Sequence, residues 1–139
     1  MKLLIDTNIV LDLFLERLPF VNEAEPLFSY IENSKLTGLL CATTITTLEY
    51  LLAKALTRQH SNNIIINLLK MFEIAPVDRF VIEKAISLDF TDFEDAVICA
   101  AAQHCKADGI VTRDLTGFKK AKIPIYRPSE ILAILNEFG

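Results

Sequence analysis

Leu3-Leu4-Ile5-Asp6-Thr7-Asn8 places three consecutive apolar residues directly before a carboxylate. The apolar run reads as a short buried strand, and Asp6 falls where that strand ends. In an open parallel sheet, ligands bind in the crevice beyond the carboxyl ends of the strands. Asp6 is therefore a candidate site residue. Taken alone it reads equally well as the N-cap of the next helix, a position Asp favours. The residues that accompany it have to decide between the two.

Outward from this stretch, strand-like and helix-like segments alternate. Asn8 to Leu15 and Val21 to Asn33 carry apolar residues at helical spacing, with Pro26 close enough to the second helix's start to be tolerated. Leu36 to Ala42 reads as a strand, after which Thr43 or Thr44 is expected to cap a helix running to about Thr57. Ser61 is expected to cap the following helix through Phe72. Glu73 to Val77 is a strand that Pro76 assigns to a sheet edge. Asp78 precedes a helix over Phe80 to Ile86, and Asp92 or Thr91 caps another from Phe93 to Lys106. Gly109 to Thr112 is the next strand, Ile123 to Ile125 a last edge strand, and Ser129 caps the terminal helix. This alternation predicts a three-layer α/β/α sandwich around a central, mostly parallel sheet of four to five strands. If Leu3–Ile5 and Ile110–Thr112 are central neighbours, Asp6 and Asp114 emerge side by side.

At 139 residues, 52% of them hydrophobic, the chain suits one domain over residues 1–139 with a single sizeable core. No apolar run approaches the ~18 residues that span a bilayer. Asp6 and Asp12 interrupt the place where a secretory signal needs an unbroken apolar region. Cys41, Cys99 and Cys105 are odd in number and lack a CxxC spacing, so a reduced cytoplasmic protein is expected, with Cys99 a small buried hydrophobe. The net charge of −4 argues at first against a nucleic-acid partner. Its distribution argues less so: Lys106, Arg113, Lys119, Lys120, Lys122 and Arg127 cluster in a segment whose only acids are Asp108 and Asp114. That segment is either a backbone-binding patch or an ordinary solvated face.

Four acids stand out by position. Asp6 and Asp114 follow strands. Glu49 interrupts the apolar helical run Ile45-Thr46-Thr47-Leu48-Glu49-Tyr50-Leu51-Leu52, where a carboxylate is unfavourable without a cation or hydrogen-bond donors. Asp95 opens Ala96-Val97-Ile98-Cys99-Ala100-Ala101-Ala102, in the first turn of a helix. Each also has a plainer reading: capping for Asp95 with Asp92, a solvated helix edge for Glu49, a turn for Asp114. Converged, the four would repel one another, and a hard divalent cation such as Mg²⁺ or Mn²⁺ would relieve that repulsion with oxygen ligands. His60 and His104 lack zinc-type spacing and are expected at the surface. Without the four acids the formal charge would be zero, so a metal-loaded crevice no longer repels a phosphate backbone. Such a cup suits phosphodiester hydrolysis, by one ion or by two about 4 Å apart. Asn8 and Thr112 would add neutral hydrogen bonds.

Four segments, in order, resemble the motifs of PIN-domain ribonucleases, particularly the small single-domain type that serves as the toxin of bacterial toxin–antitoxin pairs. Leu4-Ile5-Asp6-Thr7-Asn8-Ile9-Val10-Leu11 is similar to the first motif and Thr46-Thr47-Leu48-Glu49-Tyr50-Leu51-Leu52 to the helical glutamate motif. Asp95-Ala96-Val97-Ile98-Cys99-Ala100-Ala101 and Val111-Thr112-Arg113-Asp114-Leu115-Thr116-Gly117-Phe118 resemble the other two. The resemblance runs from Lys2 to about Pro128. It implies Mg²⁺- or Mn²⁺-dependent RNA cleavage with Asp6, Glu49, Asp95 and Asp114 as catalytic metal ligands. It also implies frequent homodimers and often a small antitoxin that blocks the site. Asp92, Asn8 and Thr112 are candidates for further ligands or for their support, and Arg113, Lys119 and Lys120 for contacts to the RNA backbone.

Two rival readings remain. A haloacid-dehalogenase-like phosphotransferase also begins with a strand ending in Asp, but Asn8 stands where that family's second Asp acts as general acid/base. The other is a non-catalytic PIN-like module that binds RNA or protein and retains its acids as caps. A dinucleotide-binding fold is disfavoured further, because Gly38, Gly109, Gly117 and Gly139 make no G-x-G-x-x-G loop.

Overall fold

In a computed structural model, which describes residues 1–138, the chain runs β1 (Lys2–Ile5), α1 (Thr7–Phe14), α2 (Val21–Glu32), β2 (Thr37–Cys41), α3 (Ala42–Ala55), α4 (Arg58–Met71), β3 (Glu73–Ala75), α5 (Arg79–Ser87), α6 (Phe93–His104), β4 (Gly109–Val111), β5 (Ile125–Tyr126) and α7 (Pro128–Phe138). The domain expected over 1–139 is thus described up to residue 138, and Gly139 lies outside the described residues. The strands form one sheet in the order β3-β2-β1-β4-β5, every neighbouring pair parallel.

Alternation along the strands divides the core in two. Leu3, Ile5, Leu40 and Val111 point into a cluster with α1, α2, α3, α4 and α7, while Leu4, Leu39, Cys41, Ala75 and Ile110 point into one with α5 and α6. Both faces of the sheet are covered, which is why its central strands read as continuous apolar runs. The expected three-layer sandwich is what the chain adopts. No helix among the described residues is long and apolar enough to cross a membrane.

Strand order positions the site. After β1 the chain adds β2 and then β3 outward on one side, then returns to place β4 and β5 on the other. The reversal lies between β1 and β4, which pair Leu4 with Ile110 and Ile5 with Val111. A crevice opens at such a reversal, because the two connections leave the sheet in opposite directions.

Several expected boundaries shift, each for a local reason. Strand β2 runs straight into α3, so Cys41 holds the cap position without a side-chain bond. The expected caps Thr43 and Thr44 lie inside the helix, where the buried Thr44 hydroxyl meets that of Thr7 at 3.0 Å. Thr57, not Ser61, caps α4 by accepting from the His60 amide at 3.0 Å. Ser61 is buried one turn later and bonds the Glu49 carbonyl. The last strand is Ile125–Tyr126, the two residues that pair with Ile110 and Val111, while Ile123 packs into the core ahead of it. In α7, Pro128 takes the first helical position, which needs no N–H, and Glu130 rather than Ser129 bonds the Arg127 amide. Asp78 and Asp92 cap α5 and α6 as their positions predict.

Candidate functional site

Asp6 is the first residue beyond β1 and is 5% exposed. Its Oδ1 accepts from the Thr7 amide at 2.8 Å, so the residue does cap α1. Its Oδ2 accepts from the Thr112 hydroxyl, also at 2.8 Å. That hydroxyl accepts in turn from the Asp114 amide at 3.0 Å. The two strand ends are thereby stitched together through one buried threonine. A side chain that both donates and accepts is required there, and Thr supplies it.

Asp114 turns its Oδ1 to the Gly117 amide at 3.0 Å. A Cβ added at Gly117 would stand 2.6 Å from Asp114 Oδ2 and 2.8 Å from Asp95 Oδ2. The glycine therefore leaves open a space that two carboxylate oxygens approach from α6 and from the loop after β4. Asp92 caps α6 through a 3.0 Å bond from the Asp95 amide and lines the same crevice. The crevice, of about 290 Å³, is walled further by Phe90, Thr116, Lys119 and Lys120.

Negative charge accumulates here. Burial, followed by the carboxylates of Asp6, Asp92, Asp114 and Glu94, pushes the Asp95 carboxyl up to about 7. Burial also raises the Asp6 carboxyl, against the pull of its bonds from Thr112 and Thr7, with Asp114 and Glu94 adding to the rise. Among the described residues, none of these five acids is in an ion pair.

Of the residues expected at the site, the structure brings together Asp6, Asp95 and Asp114, with Asp92 and Thr112 beside them. It does not bring Glu49. That side chain is half-buried on the face of α3 turned to α4, beside Ile45, Asn62, Ile65 and Ile66. Two positions along a helix rotate a side chain by about 200°, so Thr47, not Glu49, faces the α6 side, where its hydroxyl lies 3.3 Å from Glu94 Oε1. Asn8 is exposed and accepts a long bond from Arg17 Nη1 at 3.4 Å.

Arg113 also departs from expectation. Its guanidinium grips the buried Asp12 with two bonds, at 2.7 and 3.0 Å, and stacks on the Phe20 ring at 3.7 Å. An arginine held this way is a structural clasp between α1 and the loop after β4, with its Nε and Nη2 committed to Asp12. Lys120 reaches the Asp89 carbonyl at 2.9 Å, whereas Lys119 stands exposed on the crevice wall.

The roles of two residues escaped the sequence reading. Asp12 interrupts the apolar run Ile9-Val10-Leu11-Asp12-Leu13-Phe14. The argument applied to Glu49, that such an acid needs a cation, fits Asp12 better. Glu94 lies between two noticed acids, and its own signal is only that adjacency.

The donor set suits a hard divalent cation: carboxylate oxygens, unneutralised, around a space kept free by a glycine. No three Asp, Glu, His or Cys side chains close into a ready-made cage among the described residues. The acids line an open crevice, which fits an ion that keeps several of its waters.

A three-layer sandwich with carboxylates gathered at the strand reversal defines a class of acidic-site α/β proteins. A model of the PIN domain matches residues 2–116, and the chain belongs to the PIN-domain family. Solved structures with the same fold include VapBC2 of Rickettsia felis bound to a DNA fragment from its promoter (TM-score 0.68, 18% identity, covering 91% of this chain and 98% of that one). A toxin–antitoxin complex from Klebsiella pneumoniae is similar (0.68, 24%, 90% and 96%), as is FitAcB of Neisseria gonorrhoeae (0.70, 20%, 91% and 98%). Among curated proteins, none matches the chain significantly.

Proposed function

We propose that this PIN domain is an Mg²⁺- or Mn²⁺-dependent endoribonuclease, with Asp6, Asp95 and Asp114 as its principal metal ligands. The observation that carries the reading is the linkage Asp6–Thr112–Asp114, with Asp95 turned to the same space beside Gly117. A bound divalent ion supplies Lewis-acid stabilisation of the phosphoryl charge and makes water a better nucleophile at neutral pH. The protein's own residues do the positioning. Thr112 and the Thr7 amide hold both Asp6 oxygens in fixed directions, and the Gly117 amide orients Asp114. Asp92 caps α6 and so fixes the turn that carries Asp95. Lys119 offers a cation to the RNA backbone at the crevice wall.

The resemblance to small toxins, together with a structural neighbour that is itself a toxin–antitoxin complex, supports a toxin role. In that role a small antitoxin blocks the crevice, and the protein acts in the cytoplasm as a homodimer.

The test is RNA cleavage by the purified protein. We expect activity with Mg²⁺ or Mn²⁺ that EDTA abolishes and that Asp6→Asn lowers at least 100-fold. Undiminished cleavage by Asp6→Asn would reject this site. Hydrolysis of p-nitrophenyl phosphate with no RNA cut would favour the phosphotransferase reading instead. Growth arrest on expression, relieved by the product of a neighbouring reading frame, would bear out the toxin role, and harmless expression would reject it.

A further inference from the structure

Asp114 stands in a segment that the sheet no longer holds. The Asp6 amide donates to the Val111 carbonyl at 3.0 Å, and the Thr112 amide to the Tyr126 carbonyl at 2.9 Å. Beyond Thr112, among the described residues, the hydrogen bonds of Asp114 through Gly117 stay within residues 112–119. Arg113 is the exception. Its Nε and Nη2 donate to Asp12 Oδ2 and Oδ1 at 2.7 and 3.0 Å, and its guanidinium lies 3.7 Å from the centre of the Phe20 ring. Asp12 is buried, with 1% of its side chain exposed, and belongs to α1, the helix that Asp6 caps.

We propose that Asp12 and Arg113 are a positioning pair for the metal site, fixing where Asp114 stands relative to Asp6. The inference rests on the metal-dependent reading of the crevice. Helix α1 is the common frame: it carries Asp6 at its N-cap and Asp12 six residues on, about 9 Å further along the axis. The segment after β4 grips that frame twice, through Thr112 at Asp6 and through Arg113 at Asp12. A single contact would leave the segment free to pivot, and the second removes that freedom. Asp114 follows Arg113 directly and its amide bonds the Thr112 hydroxyl, so both contacts bear on it. A bidentate guanidinium–carboxylate pair fixes direction as well as distance, which an ammonium in its place would not. Because Asp12 balances Arg113, the segment is anchored without adding net charge beside the acids.

The experiment titrates Mn²⁺ alone into the intact protein by calorimetry, at a temperature where circular dichroism shows each variant folded. Charge and positioning act here with opposite signs. Removing the Arg113 cation would, by charge alone, tighten the binding of a nearby divalent ion. We expect Arg113→Ala instead to weaken Mn²⁺ binding about tenfold or more, the usual loss when a ligand's supporting partner is removed. Arg113→Lys keeps the charge beside the buried Asp12 and is the variant to read if Arg113→Ala does not fold. Having lost the fork, it should weaken binding too. Leu68→Ala is the control: it removes a buried α4 side chain that lines no part of the crevice, lowers stability, and should bind Mn²⁺ as wild type does. Asp6→Asn should abolish binding. Binding as tight as wild type, or tighter, in a folded Arg113 variant would overturn the positioning role and leave the metal site standing. So would an equal loss in Leu68→Ala, since affinity would then merely follow stability. Wild-type protein that binds no Mn²⁺, or whose binding survives Asp6→Asn unchanged, would overturn the metal-dependent reading itself, and the positioning role with it.

Discussion

At the scale of single residues, the site is a set of acids that form no ion pair among the described residues. Asp95 shows the consequence most clearly. Its carboxyl is raised from 3.8 to about 7 by burial and then by its acidic neighbours, so the folded chain holds a proton that the unfolded chain has released. Between these values the native state binds more protons than the unfolded state, and stability falls as pH rises. The metal-free protein should therefore lose Tm from pH 4 to pH 7 and level off above. Asp95→Asn removes the charge and its repulsion. After allowance for solvent screening of a half-buried group, it should stabilise metal-free protein at pH 8 by roughly 1 kcal/mol, about 3 °C in Tm. Differential scanning calorimetry in EDTA measures this. A mutant whose Tm follows the wild-type profile at every pH would contradict the assigned repulsion.

At the scale of elements, the Asp12–Arg113 clasp ties the middle of α1 to the loop that carries Asp114. Asp12 is 1% exposed, and its second cation, Arg17, stands at 3.7 Å. Removing Arg113 strands a buried carboxylate with one distant partner. Arg113→Ala should destabilise by about 3 kcal/mol, the usual cost of breaking a buried pair from one side. Arg113→Lys should recover little, because an ammonium reproduces neither the fork nor the stacking on Phe20. The double mutant Asp12→Ala/Arg113→Ala should lose less than the two single losses added together. Urea unfolding checks all three, and a change within 0.5 kcal/mol for Arg113→Ala would dismiss the clasp. Element by element, the helices and central strands were legible because their apolar periodicity is local. The caps were legible where a short polar side chain precedes the helix with room to turn back, as at Asp78 and Asp92. They were missed at Thr44 and Ser61, where tertiary contacts claimed the hydroxyls instead.

At the scale of the whole molecule, electrostatics decides how a chain of net charge −4 can approach a polyanion. The clasp withdraws Arg113 from that task, and Lys120 is partly engaged by Asp89. Lys119 is left as the principal cation on the crevice wall. RNA binding, measured in the Asp6→Asn background so that the strand survives, should weaken with salt. Lys119→Gln should reduce the magnitude of the log–log slope by about 0.7, the value for one single-strand phosphate contact. An Arg113→Lys substitution should leave the slope unchanged. A slope unaltered by Lys119→Gln would make that lysine an ordinary solvated residue.

The succession of strands and helices, and with it a parallel sheet, was determined by the sequence itself, because burial periodicity and short-range capping act within a few residues. The sequence also put Asp6 and Asp114 on the same edge of the sheet, since parallel crossovers bring strand ends there; that their strands are neighbours was decided by the β1–β4 pairing. Which side chains meet beyond that edge was a tertiary decision. A rotation of α3 by half a turn would exchange Glu49 for Thr47. That rotation is set by packing Leu48 and Leu52 into the core and by Thr44 meeting Thr7. The same packing leaves Glu94 opposite Thr47, and it pairs Arg113 with an acid about a hundred positions away. Contacts of that range carry no periodicity, so they become visible only once the elements are assembled.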